Sequence, residues 1–223
     1  MTRTFKTESV KAVILDFDGT VYFQRPIQFY NLIRIGIILV AKPHKYREIQ
    51  IIRRYRKMRE HYSESNMPIL EVEKDLAQAL NQSQEEIRLI REYWLIQSQS
   101  SAIKLFQRKA LLKRVAQLQN QGALLILWSD YPTAEKSKEL ELLPDLVFCS
   151  EDSRIKMAKP SSAGIDLIVK TLRIDLSEIV MIGDRDDRDG VAASRAGIQY
   201  FKVGRRANQM LDRILREKQK KKN

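Results

Sequence analysis

Five short apolar runs constrain this chain more than anything else in it: AVILD (12–16), LLILWS (124–129), LVFCS (146–150), IVMIG (179–183) and IQYFKV (198–203). A strand with one wet face alternates apolar and polar residues. Near-continuous runs indicate strands covered on both faces, as in a parallel sheet between helices. The connecting stretches carry the helical period. AIKLFQRKALLKRVAQLQNQG (102–122) repeats apolar residues at Leu105, Ala110, Leu111, Val115 and Leu118 and stops at Gly122; SSAGIDLIVKTLRI opens on serines, and DGVAASRAG closes on Gly197. Strands alternating with helices predict an α/β fold, a doubly wound parallel sheet.

One interval breaks that rhythm. Between Val21 and about Ser100 there is no strand-like run, and the span is too long for a crossover connection. Tyr46, Ile49, Ile52, Tyr55, Met58 and Tyr62 step by three and four with basic residues opposite, and further helices read at about 71–80 and 84–98. The interval is therefore expected to be a helical module inserted after the first strand.

Composition matters where it excludes function classes. With 43% hydrophobic and 30% charged residues, a folded core is expected. The single cysteine, Cys149, lies among apolar neighbours and reads as a buried, inert thiol, which suits a reducing compartment. The opening MTRTFKTESVK lacks a signal-peptide pattern, so a cytoplasmic location is expected. NLIRIGIILVA (31–41) is shorter than the roughly 20 residues of a spanning helix and contains Arg34, so a buried or interfacial helix is expected there.

The net charge of +12 is concentrated. Residues 42–59 hold eight Lys/Arg against Glu48, and residues 202–223 hold nine against Asp212 and Glu217; each segment carries +7, which leaves −2 for the rest. For 42–59 three readings stand: a solvated amphipathic helix, attraction of an anionic substrate, or peripheral contact of residues 31–59 with an anionic membrane. No nucleic-acid module is apparent, so no nucleic acid is expected as a partner. The lysine-rich end KQKKKN reads as frayed and solvated.

Ligands of open α/β sheets bind beyond the carboxyl ends of the strands. The first run ends in Asp16 and continues Phe17, Asp18, Gly19, Thr20; the second ends in Ser129 and Asp130; the fourth ends in Gly183 and Asp184; Lys156 and Lys159 follow the third. These groups suit phosphoryl transfer. A carboxylate can attack phosphorus to form an acyl phosphate. Asp16 and Asp184, with oxygen donors and no nearby histidine or cysteine, suit a hard ion such as Mg2+. Lysine and serine can hold phosphoryl oxygens, and Asp18 is placed to serve as general acid and base.

DFDGT (16–20), a hydrophobic strand ending in Ser129, KP (159–160) and GDRDDRD (183–189) follow one another in the order of the four motifs of the haloacid dehalogenase-like (HAD) hydrolase superfamily. The chain resembles that superfamily over about two thirds of its length. The resemblance implies a Rossmann-like core formed by 1–22 and 100–223 with a helical cap at 23–99. It implies Asp16 as nucleophile, Asp18 as general acid/base, and Ser129 and Lys159 as contacts of a phosphorylated small-molecule substrate. It also implies a Mg2+ site formed by Asp16, Asp184, the backbone carbonyl of Asp18 and a second acid of the last motif. Asp189 is expected in that place, with Asp187 next. The superfamily's dehalogenases lack the second aspartate and its ion pumps carry threonine there, so Asp18 implies phosphate-ester chemistry, as in the superfamily's phosphatases and phosphomutases, and a phosphatase is expected. A phosphomutase is the nearest alternative. A non-catalytic protein binding an anionic membrane or partner through its basic helix is another.

Other residues carry blander expectations. Lys159 is preferred to Lys156 because Pro160 suits a helix start beside it. Asp130, Asp186 and Arg188 read as solvated or locally paired, His44 and His61 as surface or packing residues, and Trp94 and Trp128 as core. In IVMIGDRDDRDG (179–190) a calcium loop ending at Gly190 would need an acid at 185, which is arginine.

Overall fold

The computed structural model describes residues 10–96, 100–138, 140 and 142–220. The opening residues 1–9, the end of the 84–98 helix prediction, the expected junction at 99 and the last three residues of the basic tail lie outside them. All five predicted strands form. β1 (Ala12–Leu15), β2 (Leu124–Ser129), β3 (Leu146–Cys149), β4 (Ile179–Gly183) and β5 (Gln199–Lys202) make one parallel sheet in the order β3-β2-β1-β4-β5. This is the expected Rossmann-like α/β architecture.

The continuous apolar runs are explained by the two faces they serve. Val13, Leu15, Leu125, Leu127, Val180 and Ile182 enter one core, while Ala12, Ile14, Ile126, Trp128, Ile179 and Met181 enter another. The first is closed by α6 (Lys109–Asn120) and α10 (Arg205–Lys220), the second by α8 (Ala163–Leu172) and α9 (Val191–Ala196). α9 ends at Gly197 in the left-handed conformation (φ 75°), which glycine adopts without steric cost.

Between β1 and β2 the chain is helical: α1 (Gln24–Ala41), α2 (Tyr46–Glu64), α3 (Val72–Leu80), α4 (Gln84–Arg91) and α5 (Ser100–Leu105). The Ser83 hydroxyl caps α4 by accepting from the Glu86 amide at 3.1 Å. α4 runs on as a wider π-type turn through Glu92–Ile96. These helices have their own apolar cluster, centred on Ile52, Tyr55, Val72 and Ile87, and it closes against Ala158 and Tyr131 from loops of the sheet. A further short helix, α7 (Ala134–Lys138), follows β2.

Three expectations are corrected. The predicted helix over 102–122 is two helices, because the legs leaving and rejoining the sheet pair with each other. The Phe23 amide donates to the Phe106 carbonyl at 2.9 Å and the Arg108 amide to the Val21 carbonyl at 2.8 Å, so these groups are not free to continue a helix. The apolar segment 31–41, expected to be buried or interfacial, lies in α1, which is largely exposed, so the buried reading does not hold; Ile27 is its one fully buried residue. Among the described residues no helix is long and apolar enough to cross a membrane. Cys149, expected buried, is half-buried, and burial raises its thiol pKa.

Candidate active site

Strand register assembles the site. Leu15 lies beside Leu127 on one flank and Ile182 on the other, so Asp16, Ser129 and Asp184 emerge together at the carboxyl edge of the three central strands. The Asp16 amide donates to the Ile182 carbonyl at 2.9 Å, which fixes the start of the loop. The loop then turns back sharply, with the Thr20 and Val21 amides both donating to the Phe17 carbonyl. Gly19 makes the turn with φ of +84°, and a Cβ there would overlap the Asp184 carboxylate. Gly183 is constrained in the same way: a Cβ would overlap the Asp189 carboxylate.

Asp16 is buried and held at both oxygens. Thr20 Oγ1 donates to its Oδ2 at 2.8 Å and Lys159 Nζ donates to its Oδ1 at 2.5 Å. The same ammonium donates to Asp189 Oδ1 at 2.7 Å and stands 5.0 Å from the centre of the Trp128 ring. Burial alone would lower the lysine pKa; Asp16, Asp189 and Asp130 outweigh it and hold Lys159 above the usual lysine value, hence charged. The Lys159 amide donates to Asp130 Oδ1 at 3.0 Å, and Ser63 of α2 bonds its carbonyl.

Asp16, Asp184 and Asp189 each offer a carboxylate oxygen within 4.8 Å of the others. Three carboxylates against one ammonium leave a formal charge of −2 in a largely buried place. The strain shows in the acids: burial, then Asp189, pushes Asp184 up to about 6, and burial raises Asp16 well above the carboxylate range. An oxygen-only cluster with surplus negative charge fits a hard divalent cation such as Mg2+.

A cavity of about 640 Å³ opens over this cluster, with α1 and α2 as its far wall. Asp18 is half-buried at its edge and accepts a hydrogen bond from the Tyr22 hydroxyl, four residues on. Ser129 also lines it; its hydroxyl accepts from the Tyr131 amide at 3.3 Å.

The predicted site residues Asp16, Asp18, Ser129, Lys159, Asp184 and Asp189 all face this cavity. Asp187, weighed for the same place as Asp189, stays at the surface and pairs with Arg185 at 2.6 Å, while Lys156 is exposed. Asp130 and Arg188, expected to be solvated or locally paired, instead form a long-range pair at 3.2 Å, and Arg188 reaches Glu60 of α2 at 3.6 Å. Asp186 does lie at the surface, against Lys202.

Arg59 is a larger correction. Counted with the basic face of α2, it is buried: it donates to Tyr55 and Glu151 at 3.1 Å each and to the Asp130 carbonyl, and it stacks on Tyr131. Glu151 also pairs with Arg91 at 2.7 Å, and Arg91 with Glu73 at 2.8 Å. A signal was present, since Arg59 stands four after Tyr55 and three before Tyr62, on the core-facing stripe. Tyr46, placed on that stripe, is exposed. Thr20 and Tyr22 had no assigned role. Trp94 and Trp128 are buried as expected, though Trp94 also lines the cavity. His44 and His61 are exposed.

A family model described as haloacid dehalogenase-like hydrolase matches residues 10–197. No curated protein sequence matches. Among solved structures, similar folds include a 2-haloacid dehalogenase from Pseudomonas syringae pv. tomato DC3000 (TM-score 0.58, 15% identity, 86% of this chain and 85% of that one). A HAD phosphatase from Thermococcus onnurineus gives a TM-score of 0.55 at 19% identity, covering 88% and 87%. A provisionally designated beta-phosphoglucomutase from Thermotoga maritima gives 0.57 at 16% identity, covering 95% and 99%.

Proposed function

The chain belongs to the haloacid dehalogenase-like hydrolase family, and from that premise we propose that it is a Mg2+-dependent phosphatase acting on phosphate monoesters through an aspartyl-phosphate on Asp16. The observation that carries the reading is Asp18. It stands two residues beyond Asp16 in the same tight loop, at the cavity edge, with its carboxylate held by Tyr22. A dehalogenation has no leaving oxygen to protonate, whereas cleavage of a phosphate ester does.

The roles follow from the placement. An Asp16 oxygen attacks phosphorus, the bond to the leaving oxygen breaks, and Asp18 gives that oxygen a proton. Water then attacks the aspartyl-phosphate, Asp18 takes its proton, and inorganic phosphate leaves as the Asp16 carboxylate is restored. Lys159 steadies Asp16 and meets phosphoryl charge, and the Ser129 hydroxyl offers a further contact to a phosphoryl oxygen. Mg2+ bound by Asp16, Asp184, Asp189 and the backbone carbonyl of Asp18 would supply the positive charge that lets an anionic ester approach a carboxylate. Residues 23–99 act as a cap over the core of 1–22 and 100–223, excluding bulk water and selecting the substrate, a small phosphorylated molecule. The cavity lining from α1 and α2 supports this division.

The test is phosphate release from an aryl phosphate with Mg2+, with chelator, and with Asp16→Asn. Turnover that needs Mg2+ and vanishes in the variant is expected. Halide release from a 2-haloacid without phosphatase activity, or phosphate release untouched by Asp16→Asn, would overturn the reading. Transfer of phosphate to a sugar phosphate in place of its release would point to a mutase.

A further inference from the structure

A soluble helix ordinarily turns its apolar stripe inward and its polar side out. α1 does not. Its inner side, with Ile35, Ile38 and Leu39, packs on the helical cluster, yet its outer side is also apolar: Phe29 is 66% exposed, Ile37 65% and Val40 86%, with Ile33 and Gly36 between them. Contiguous apolar exposure of this kind marks a surface that something covers.

Charge identifies the occupant. α2, which follows through the turn Pro43–Lys45, exposes Arg53, Arg54, Arg56 and Lys57, and among the described residues none of these four joins an ion pair. Arg53 and Arg56 line the cavity, as does Leu32 of α1, whereas Arg54 and Lys57 lie on the side of α2 away from its buried residues. A second copy would bring the same uncompensated cations against themselves, on a chain already at +12. An anionic lipid surface takes both features at once, apolar side chains below the headgroups and cations among them. We propose that the exposed apolar side of α1, together with the exposed basic residues of α2, docks this protein peripherally on an anionic membrane.

The test is flotation of the whole chain with vesicles of phosphatidylcholine alone and of phosphatidylcholine mixed with phosphatidylglycerol, at low and high salt. Binding to the anionic vesicles alone, released by salt, is expected. Ile33→Asp with Ile37→Asp, and separately Arg54→Glu with Lys57→Glu, should each lower the bound fraction about tenfold or more. All four positions are exposed, and circular dichroism with aryl-phosphate turnover checks that each variant remains folded. Absence of flotation with anionic vesicles at low salt would overturn the proposal, as would flotation unaffected by both variants. Sedimentation showing a dimer that the isoleucine variant dissociates would assign the face to a second copy and overturn it too.

Discussion

The Lys159 ammonium stands 2.7 Å from Asp189 and bridges it to Asp16, so one buried cation serves two carboxylates from the ends of different strands. Removing it leaves buried acids without compensation. Lys159→Met is expected to destabilise the protein by about 3–5 kcal/mol, the usual cost of breaking a buried pair from one side. Added Mg2+ should restore part of the loss, read by thermal unfolding with and without the ion. An unchanged melting temperature would mean that Lys159 does not neutralise the cluster.

Asp184 gives a pH-dependent expectation for protein freed of divalent cations. Its folded pKa, pushed up to about 6, exceeds the roughly 3.9 of an unfolded aspartate. The native state then binds more protons than the unfolded one between those values. Its contribution to stability is full below about pH 4 and is lost as pH rises through about 6. Asp184→Asn removes this titration. The variant should gain on the parent by several degrees of melting temperature between about pH 5 and about pH 7.5, at about 2–4 °C per kcal/mol. A difference that stays constant over that range would count against the raised pKa.

Tyr22 acts through Asp18. Its own hydroxyl is driven far above the usual tyrosine range by burial and then by Asp18, so it remains a donor to the carboxylate. Tyr22→Phe should lower kcat by about tenfold, a fraction of what acid–base catalysis contributes. It should also displace one limb of the pH–rate profile with KM little changed. A KM effect alone would make Tyr22 a packing residue.

Arg59 joins α2 to the loops after β2 and β3. Arg59→Met would leave Glu151 and the Asp130 carbonyl short of a partner, at an expected cost of about 3 kcal/mol. Limited proteolysis should then cut within the helical interval 24–96 before the sheet. Equal protection of both regions would argue that Arg59 does not couple them.

How much could be read beforehand differs by residue. The strands were legible because burial on both faces leaves apolar runs, and Asp16, Ser129 and Asp184 were legible as their ends. Placing Asp189 ahead of Asp187 rested on the family resemblance; the physical reason is three-dimensional, since one side chain is buried beneath the strand edge and the other lies in solvent. Arg59 was hidden in a run of cations, although helical phase marked it. For α1 the apolar run left buried and interfacial readings side by side, because nothing local reveals that one side of a helix lacks a partner.

Gly19 and Gly183 carry no chemistry, yet each occupies the only volume that lets a carboxylate of the cluster come as close as it does. A relative could keep every acid and the lysine and still lose the cluster through one added methyl group at either position. Whether a related sequence retains this centre is therefore to be judged by two missing side chains as much as by the charged ones.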